Sequence, residues 1–264
     1  MNISIILFFL TSISFSQNLR VEYDFTVNKS NELATATKQY VLEQSTTGSL
    51  FLFDKIREKK QFKNYELAEV VFDKDSIVAY IIGDNSIEFL YKEKHYKDFK
   101  NNLQFYNFKT GYTIKSICVK EPIEIFDWQI ENSADTIIAG YSCQKAITTF
   151  RGREYEAYFT NELADQGGPW KFDGLPGFIL KVASKDGYLL IEPTKIILNK
   201  NNIVIKNPYL GKKTITFAEI KDVILEQDIK TVKKMKSGPN PPDSVTIGEP
   251  DLIEKLHMGV RIYY

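Results

Sequence analysis

Arg151 and Arg153 flank Gly152 in the run Phe150-Arg151-Gly152-Arg153-Glu154-Tyr155. Guanidinium groups present paired donors that match carboxylates and phosphates. Two readings follow: an anion-binding pair, or a turn whose arginines pair with loop carboxylates such as Asp173 or Glu154. Asp173 divides in the same way. It either contacts a ligand or a metal, or it braces its own turn through backbone bonds. Around it stand Trp170, Phe172, Leu175 and Phe178, within Gly167-Gly168-Pro169-Trp170-Lys171-Phe172-Asp173-Gly174-Leu175-Pro176-Gly177-Phe178. Aromatics on a rigid loop at a sheet edge suit recognition. The same side chains could instead plug one end of the core. Glycine opens backbone angles that other residues reach at a cost, and proline fixes one angle and removes a donor. The run therefore specifies one loop shape.

Catalytic signals are poor. The chain has two histidines, His95 and His257. Neither has a helical partner at metal-binding spacing, so no zinc motif is present. His95 reads as part of a solvated loop, Tyr91-Lys92-Glu93-Lys94-His95-Tyr96-Lys97, and His257 as a surface residue of the tail. There is no G-x-S-x-G elbow. The glycines at 167–177 lead into a strand, not a helix, so they do not cradle a phosphate. No catalytic residue, metal or cofactor is assigned, and a hydrolase is the least supported class. Lys plus Arg and Asp plus Glu both number 34. That balance, without a basic stripe, argues against nucleic-acid binding.

The elements that must position these residues are strands. Gln39–Glu43 and Ser49–Phe53 flank Thr46-Thr47-Gly48, a hairpin signal. Further strands are expected at 70–72, 77–82, 87–91, 103–108, 112–119, 126–131, 136–140, 143–150, 154–160, 178–184, 188–197 and 203–205. Gly140 and Gly152 read as bulges or turns. Strands at this spacing predict a mostly β fold, a curved antiparallel sheet or open barrel. A flatter sandwich stays open. One helix is expected after Phe217, where residues 220, 223, 224 and 232 form an apolar stripe. Gly238-Pro239-Asn240-Pro241-Pro242 stops it, and a short terminal helix is expected over 251–257.

Residues 1–16 read as a signal peptide: an apolar run from Ile5 to Leu10, then small residues at Ser14 and Ser16. The run is shorter than the roughly 20 residues that span a bilayer, and no later segment is apolar enough to cross. The expected organisation is 1–16 leader, 17–236 a single β-rich domain, and 237–264 a Pro-rich linker and tail. Cys118 and Cys143 are the two cysteines. In an oxidising compartment such a pair tends to close. A loop of roughly 25 residues would contribute about 3 kcal/mol. Two buried thiols are the other reading.

Ordered segments resemble one family. They are Ile138-Ala139-Gly140-Tyr141-Ser142-Cys143-Gln144-Lys145-Ala146, Thr149-Phe150-Arg151-Gly152-Arg153-Glu154-Tyr155, Ala157-Tyr158-Phe159-Thr160, Gly168-Pro169-Trp170-Lys171-Phe172 and Gly174-Leu175-Pro176-Gly177-Phe178-Ile179. Together they resemble the GLPGLI family, secreted proteins of Bacteroidetes-type bacteria. Phe178 replaces the signature's second Leu, and Tyr158 stands where the family has Trp. The I-P that precedes G-P-W and the N-P-I-E-like tail are absent here. The resemblance covers roughly residues 128–182 and implies a fold and an export address, without an established activity. A second resemblance rests on Trp128, the turn Gly140 to Cys143, the aromatic strand Tyr155 to Phe159 and the later Leu-Pro. In order, these look similar to periplasmic lipoprotein carriers, in which a curved sheet wraps a greasy cavity.

The expected function is therefore an exported, non-enzymatic cell-envelope protein, periplasmic or extracellular. It would bind a lipid, another apolar or amphipathic ligand, or an envelope component, with 167–180 at the rim. The alternative is an accessory protein of an outer-membrane transport system, working through exposed strand edges.

Overall fold

The computed structural model describes residues 18–28, 35–54, 94–109, 116–131, 136–164, 166–199, 204–239, 241–247 and 261–263. The first strands are β1 (Asn18–Asn28), β2 (Thr35–Gln44), β3 (Gly48–Phe53), β4 (His95–Asp98), β5 (Leu103–Lys109) and β6 (Ser116–Pro122). Then come β7 (Gln129–Ile130), β8 (Thr136–Ile138), β9 (Tyr141–Phe150), β10 (Arg153–Thr160), β11 (Phe178–Ser184) and β12 (Leu189–Asn199). Helix α1 (Ile220–Lys236) follows, and a small hairpin of β13 (Val245–Ile247) and β14 (Arg261–Tyr263) comes last.

β1 to β12 form a single antiparallel sheet in the order β6-β5-β4-β3-β2-β1-β12-β11-β10-β9-β7, with β8 beside β9. Among the described residues its two ends are not joined by a strand pair, so it is an open sheet and not a closed barrel. The chain lays down one half as a meander from β1 to β6. It builds the other half from β7 to β12 and returns β12 alongside β1.

Alternation explains the core. In β1, Leu19, Val21, Tyr23, Phe25 and Val27 are buried while the residues between them are half-buried. Strand geometry sends successive side chains to opposite faces, so the odd positions of β1 line the inner face. Their cross-strand partners Tyr40, Leu42 and Phe51 continue that layer. From the other half come Tyr155, Ala157, Phe159, Leu180, Val182 and Ile191. Each fully buried side chain of this size is worth about 1.5–3 kcal/mol. The alternation in β1 is plain, yet the strands expected from sequence begin only at Gln39.

The tight turns are chemically specified. Ala139-Gly140 joins β8 to β9, and Arg151-Gly152 joins β9 to β10, with φ of 51°, 89°, 44° and 78°. Two consecutive positive φ angles mark the type I′ hairpin turn, whose twist matches the flanking strands. The turn glycines are where the sequence places them. The expected helix is α1. It buries Ile220, Ile224, Asp228 and Val232 along one stripe and sets Ile220 and Ile224 on Tyr106, Phe108 and Val119. Lys233, Lys234 and Lys236 in its last turn suit the negative end of the helix dipole.

Other expectations change. Phe126–Glu131 contracts to the two-residue β7. Val204 and Ile205 lie in an irregular segment. Ile205 and Tyr209 pack over Leu50, Tyr96, Phe105 and Cys118 on the sheet's other face. The strands expected at 70–72, 77–82 and 87–91, the leader 1–16 and the helix 251–257 lie outside the described residues. Cys118 and Cys143 do not form the disulfide expected of them. Cys118 packs with Tyr96 and Tyr209, whereas Cys143 belongs to the main core and donates its thiol to the Tyr141 carbonyl at 3.5 Å. The two thiols serve separate clusters, and burial pushes the Cys118 thiol up.

Candidate functional site

The glycine loop lies across the inner face as a plug. Trp170 and Leu175 are buried, and Phe172 and Phe178 have no exposed surface. Phe172 sits inside a nest of rings, 5.1 Å from Phe126, 5.1 Å from Tyr155 and 5.4 Å from Trp170, centroid to centroid. Of the two readings of these aromatics, core plug and ligand-facing wall, the geometry is that of the plug. The backbone is bent to achieve it: Gly167, Trp170 and Gly174 all have positive φ (113°, 51° and 88°). Gly177 is required for a different reason. A Cβ there would sit 2.7 Å from the Thr160 carbonyl oxygen.

Under the plug the inner face turns polar. His95 and Lys97 of β4, Gln104 and Tyr106 of β5, and Val119 and Glu121 of β6 are cross-strand partners and so share one face. All are buried. Lys97 is the centre of the arrangement. Its ammonium donates to the carbonyl oxygens of Gly168 (3.2 Å) and Phe172 (2.6 Å) and to Asp173 Oδ2 (2.9 Å). Three donors meet three acceptors, which satisfies a lysine completely. Burial pulls the Lys97 ammonium below its ordinary range, and the Asp173 carboxylate pushes the other way. Asp173 also accepts from the Gly174 amide at 2.8 Å, and its own carbonyl takes the Trp128 indole N–H at 2.8 Å. Asp173 thus braces its own turn and is tied to the sheet as well.

A second tie involves Glu121. Arg151 reaches it at 2.5 Å and Lys171 at 3.7 Å. Arg151 also lies over the Phe217 ring at 3.2 Å from its centroid, and Lys171 over Tyr106 at 3.6 Å. The β9–β10 turn is thereby fastened to β6, at the far end of the strand order. Arg153 is elsewhere: it pairs with Asp186 and covers the Tyr188 ring at 3.7 Å. The two arginines therefore do not converge on one anion. Each holds a different carboxylate, and neither carboxylate is Asp173 or Glu154.

His95 is buried in a strand, not in a solvated loop. It stacks on Tyr106 at 5.1 Å and meets Trp170 edge-on at 5.6 Å. Burial, with Lys171 and Lys97 beside it, holds its imidazole well below the usual histidine range. Sequence reasoning places His95 in a solvated loop and does not mark Lys97, Lys171 or Glu121 as site residues. The available signal was parity: His95 and Lys97 are two apart, as are Gln104 and Tyr106.

Where the plug meets solvent there is a cleft of about 380 Å³. It is lined by Phe99 and Asn102 after β4, by Ile123 and Glu124 after β6, and by Gln166 and Asp173–Pro176 of the loop. Its size is that of a small-ligand site. Among the described residues, no cluster of three or more His, Cys, Asp or Glu could hold a metal.

The fold and this site define an open, single-sheet β protein whose inner face is filled by its own ion-paired loop. No protein-family model matches the chain, and no curated protein does. Among solved structures it is similar to PNGF-II in two crystal forms, C2 and P21. Identity is 18% in both, with TM-scores of 0.49 and 0.48. These matches cover 80% of this chain but 33% and 34% of those chains, so it spans about a third of their length.

Proposed function

We propose that this chain is an exported, non-enzymatic cell-envelope protein of the GLPGLI type that takes an amphipathic ligand or envelope component at the rim of its sheet. The observation that carries this reading is the cleft beside the plug. The inner face is occupied by Phe172, Leu175 and Phe178, so a greasy cavity of the lipoprotein-carrier kind is not the place to bind. The rim cleft instead sets Phe99, Ile123, Leu175 and Pro176 beside Asn102, Glu124 and Gln166. Polar groups make up most of the exposed lining, with Phe99 and Pro176 as apolar contacts beside them, which suits the polar end of an amphipathic molecule with a short apolar stretch next to it. The loop residues singled out from sequence then serve in two ways. Trp170, Phe172 and Phe178 hold the loop, while Asp173 and Leu175 shape the cleft.

Lysophosphatidylcholine below its micelle concentration is a direct probe. Titration followed by amide chemical shifts is expected to perturb residues 99–102, 123–124 and 173–176, and Phe99→Ser should weaken binding by about tenfold for a lost aromatic contact. Shifts confined to other surfaces, or none, would remove the rim reading. The accessory-protein reading retains one supporting observation: Ile130 and Ile137, on the short edge strands β7 and β8, are 45% and 76% exposed. A stoichiometric protein partner recovered from envelope extracts, lost on Ile137→Lys, would favour it.

A further inference from the structure

We propose that His95, set between Lys97 and the loop's own Lys171, is an acid-sensitive latch that holds residues 167–174 on the sheet at neutral pH and releases them on acidification. The inference stands on the packing and does not depend on the rim cleft.

The surroundings of the imidazole disfavour its cation in the closed state. Its faces are taken by Tyr106 and Trp170. Nδ1 is buried and meets no hydrogen-bond partner among the described residues. The groups around it are the wrong sign. Its own strand supplies Lys97, and the loop supplies Lys171 with Asp173. β5 presents Tyr106, and β6 presents Glu121. From β3 its partner is Phe51, which adds no charge, and α1 contributes Ile220 and Ile224 to the neighbouring layer, with the buried Asp228 further along the same stripe. Asp173 is committed to Lys97, and Glu121 is held by Arg151 through Oε2, with Lys171 3.7 Å from its Oε1. A proton on His95 would add a further positive charge beside Lys97 and Lys171. Like charges and burial both disfavour the imidazolium.

The element that yields is the loop, because it alone brings Lys171 and Trp170 to His95. Moving it away removes one lysine, frees the Trp170 edge and admits water, while β4 can stay paired with β3 and β5. The sign is fixed by linkage. The open state binds the proton at the ordinary histidine value near 6.5, and the closed state only well below it. Closure is therefore fully favoured above about pH 6.5 and weakens as pH falls through the window beneath it. Between pH 7.5 and pH 5.5 the loop-opening constant is expected to rise about tenfold, the factor for one pH unit below the free value.

Hydrogen exchange, corrected for intrinsic rates, reads this directly. The Phe172 and Ile179 amides bond to the Pro169 and Gly167 carbonyls and close the loop. Their protection should fall about tenfold from pH 7.5 to 5.5, while amides in the β1–β12 pair keep theirs. His95→Phe retains the stacking and removes the proton site, so its loop protection should not change with pH. An equal fall in His95→Phe, or an equal fall throughout the sheet, overturns the latch. Should that variant not fold, the wild-type imidazole decides alone. NMR titration placing His95 at or above 6.5 overturns it, as does a pH-independent protection of Phe172 and Ile179, whereas an imidazole titrating below 6.5 together with falling protection of those two amides supports it.

Discussion

Lys97→Met tests whether the plug is held by its ion pair or only by its rings. The substitution keeps most of the length of the side chain, one atom short, and removes the charge. It leaves the Asp173 carboxylate buried without a cation and the Gly168 and Phe172 carbonyls without their donor. Breaking one partner of a buried pair costs about 3–5 kcal/mol, and an orphaned buried carbonyl adds about 1–3. The carboxylate can relieve part of this by taking a proton, so about 4 kcal/mol is expected. Asp173→Asn should cost less, about 2 kcal/mol, because Lys97 keeps both carbonyl acceptors and the amide can still accept from Gly174. The two changes share one interaction, so the double variant should cost less than their sum by about 2 kcal/mol. Urea unfolding at pH 7.5, followed by tryptophan fluorescence, measures all three. A Lys97→Met cost below about 1 kcal/mol, or a coupling near zero, would show that ring packing alone seats the loop and would refute the reasoning from satisfied donors.

Two glycines predict opposite outcomes for the same substitution. Gly177→Ala places a methyl group against backbone at 2.7 Å and should cost about 3 kcal/mol by denaturant unfolding. Gly187→Ala has φ of 71° but open space, so only the left-handed backbone penalty of about 1 kcal/mol applies. Both thiols should resist iodoacetamide in the native protein, and both should react after unfolding without reductant. A native mass two hydrogens light, with no labelling, would instead show the disulfide.

Much of the fold is written in local patterns. Runs of strand-forming residues bounded by turn formers mark β3, β5 and β9 to β12. The helical stripe from Ile220 to Val232 marks α1, and the paired turn residues mark the β8–β9–β10 hairpins. The loop's glycines and prolines announce a fixed shape. What they do not announce is what the shape covers. Lys97 and Asp173 are 76 residues apart, and Arg151 and Glu121 are 30 apart. A lysine or glutamate in isolation reads as solvent-exposed because burial without a partner is too costly. Only the sheet order, which no local pattern encodes, supplies the partner. His95 shows the same limit: Tyr91 to Lys97 looks like a polar loop until Phe51, Tyr106 and Trp170 enclose His95. The cysteines fail in the same way, since an oxidising address says nothing about which clusters the two thiols join.

The ionic contacts make sense as the answer to an open sheet. A closed barrel joins its ends by strand pairing, which needs matched edges along their whole length. Here the ends differ. Among the described residues β6 receives one bridge, from Ile215, along its edge, while β9 is met by two short strands. Continuous pairing between them is not formed, and the inner face would be left wet. The loop fills that space with rings, but rings alone are not directional. Lys97 fixes the loop to β4 through three acceptors, Trp128 fixes it to the β6–β7 connection, and Arg151 fixes the β9–β10 turn to β6. The same three contacts make closure conditional. A strand-paired barrel has no cheap way to open, whereas a plug held by a few buried charges can be released by adding one more.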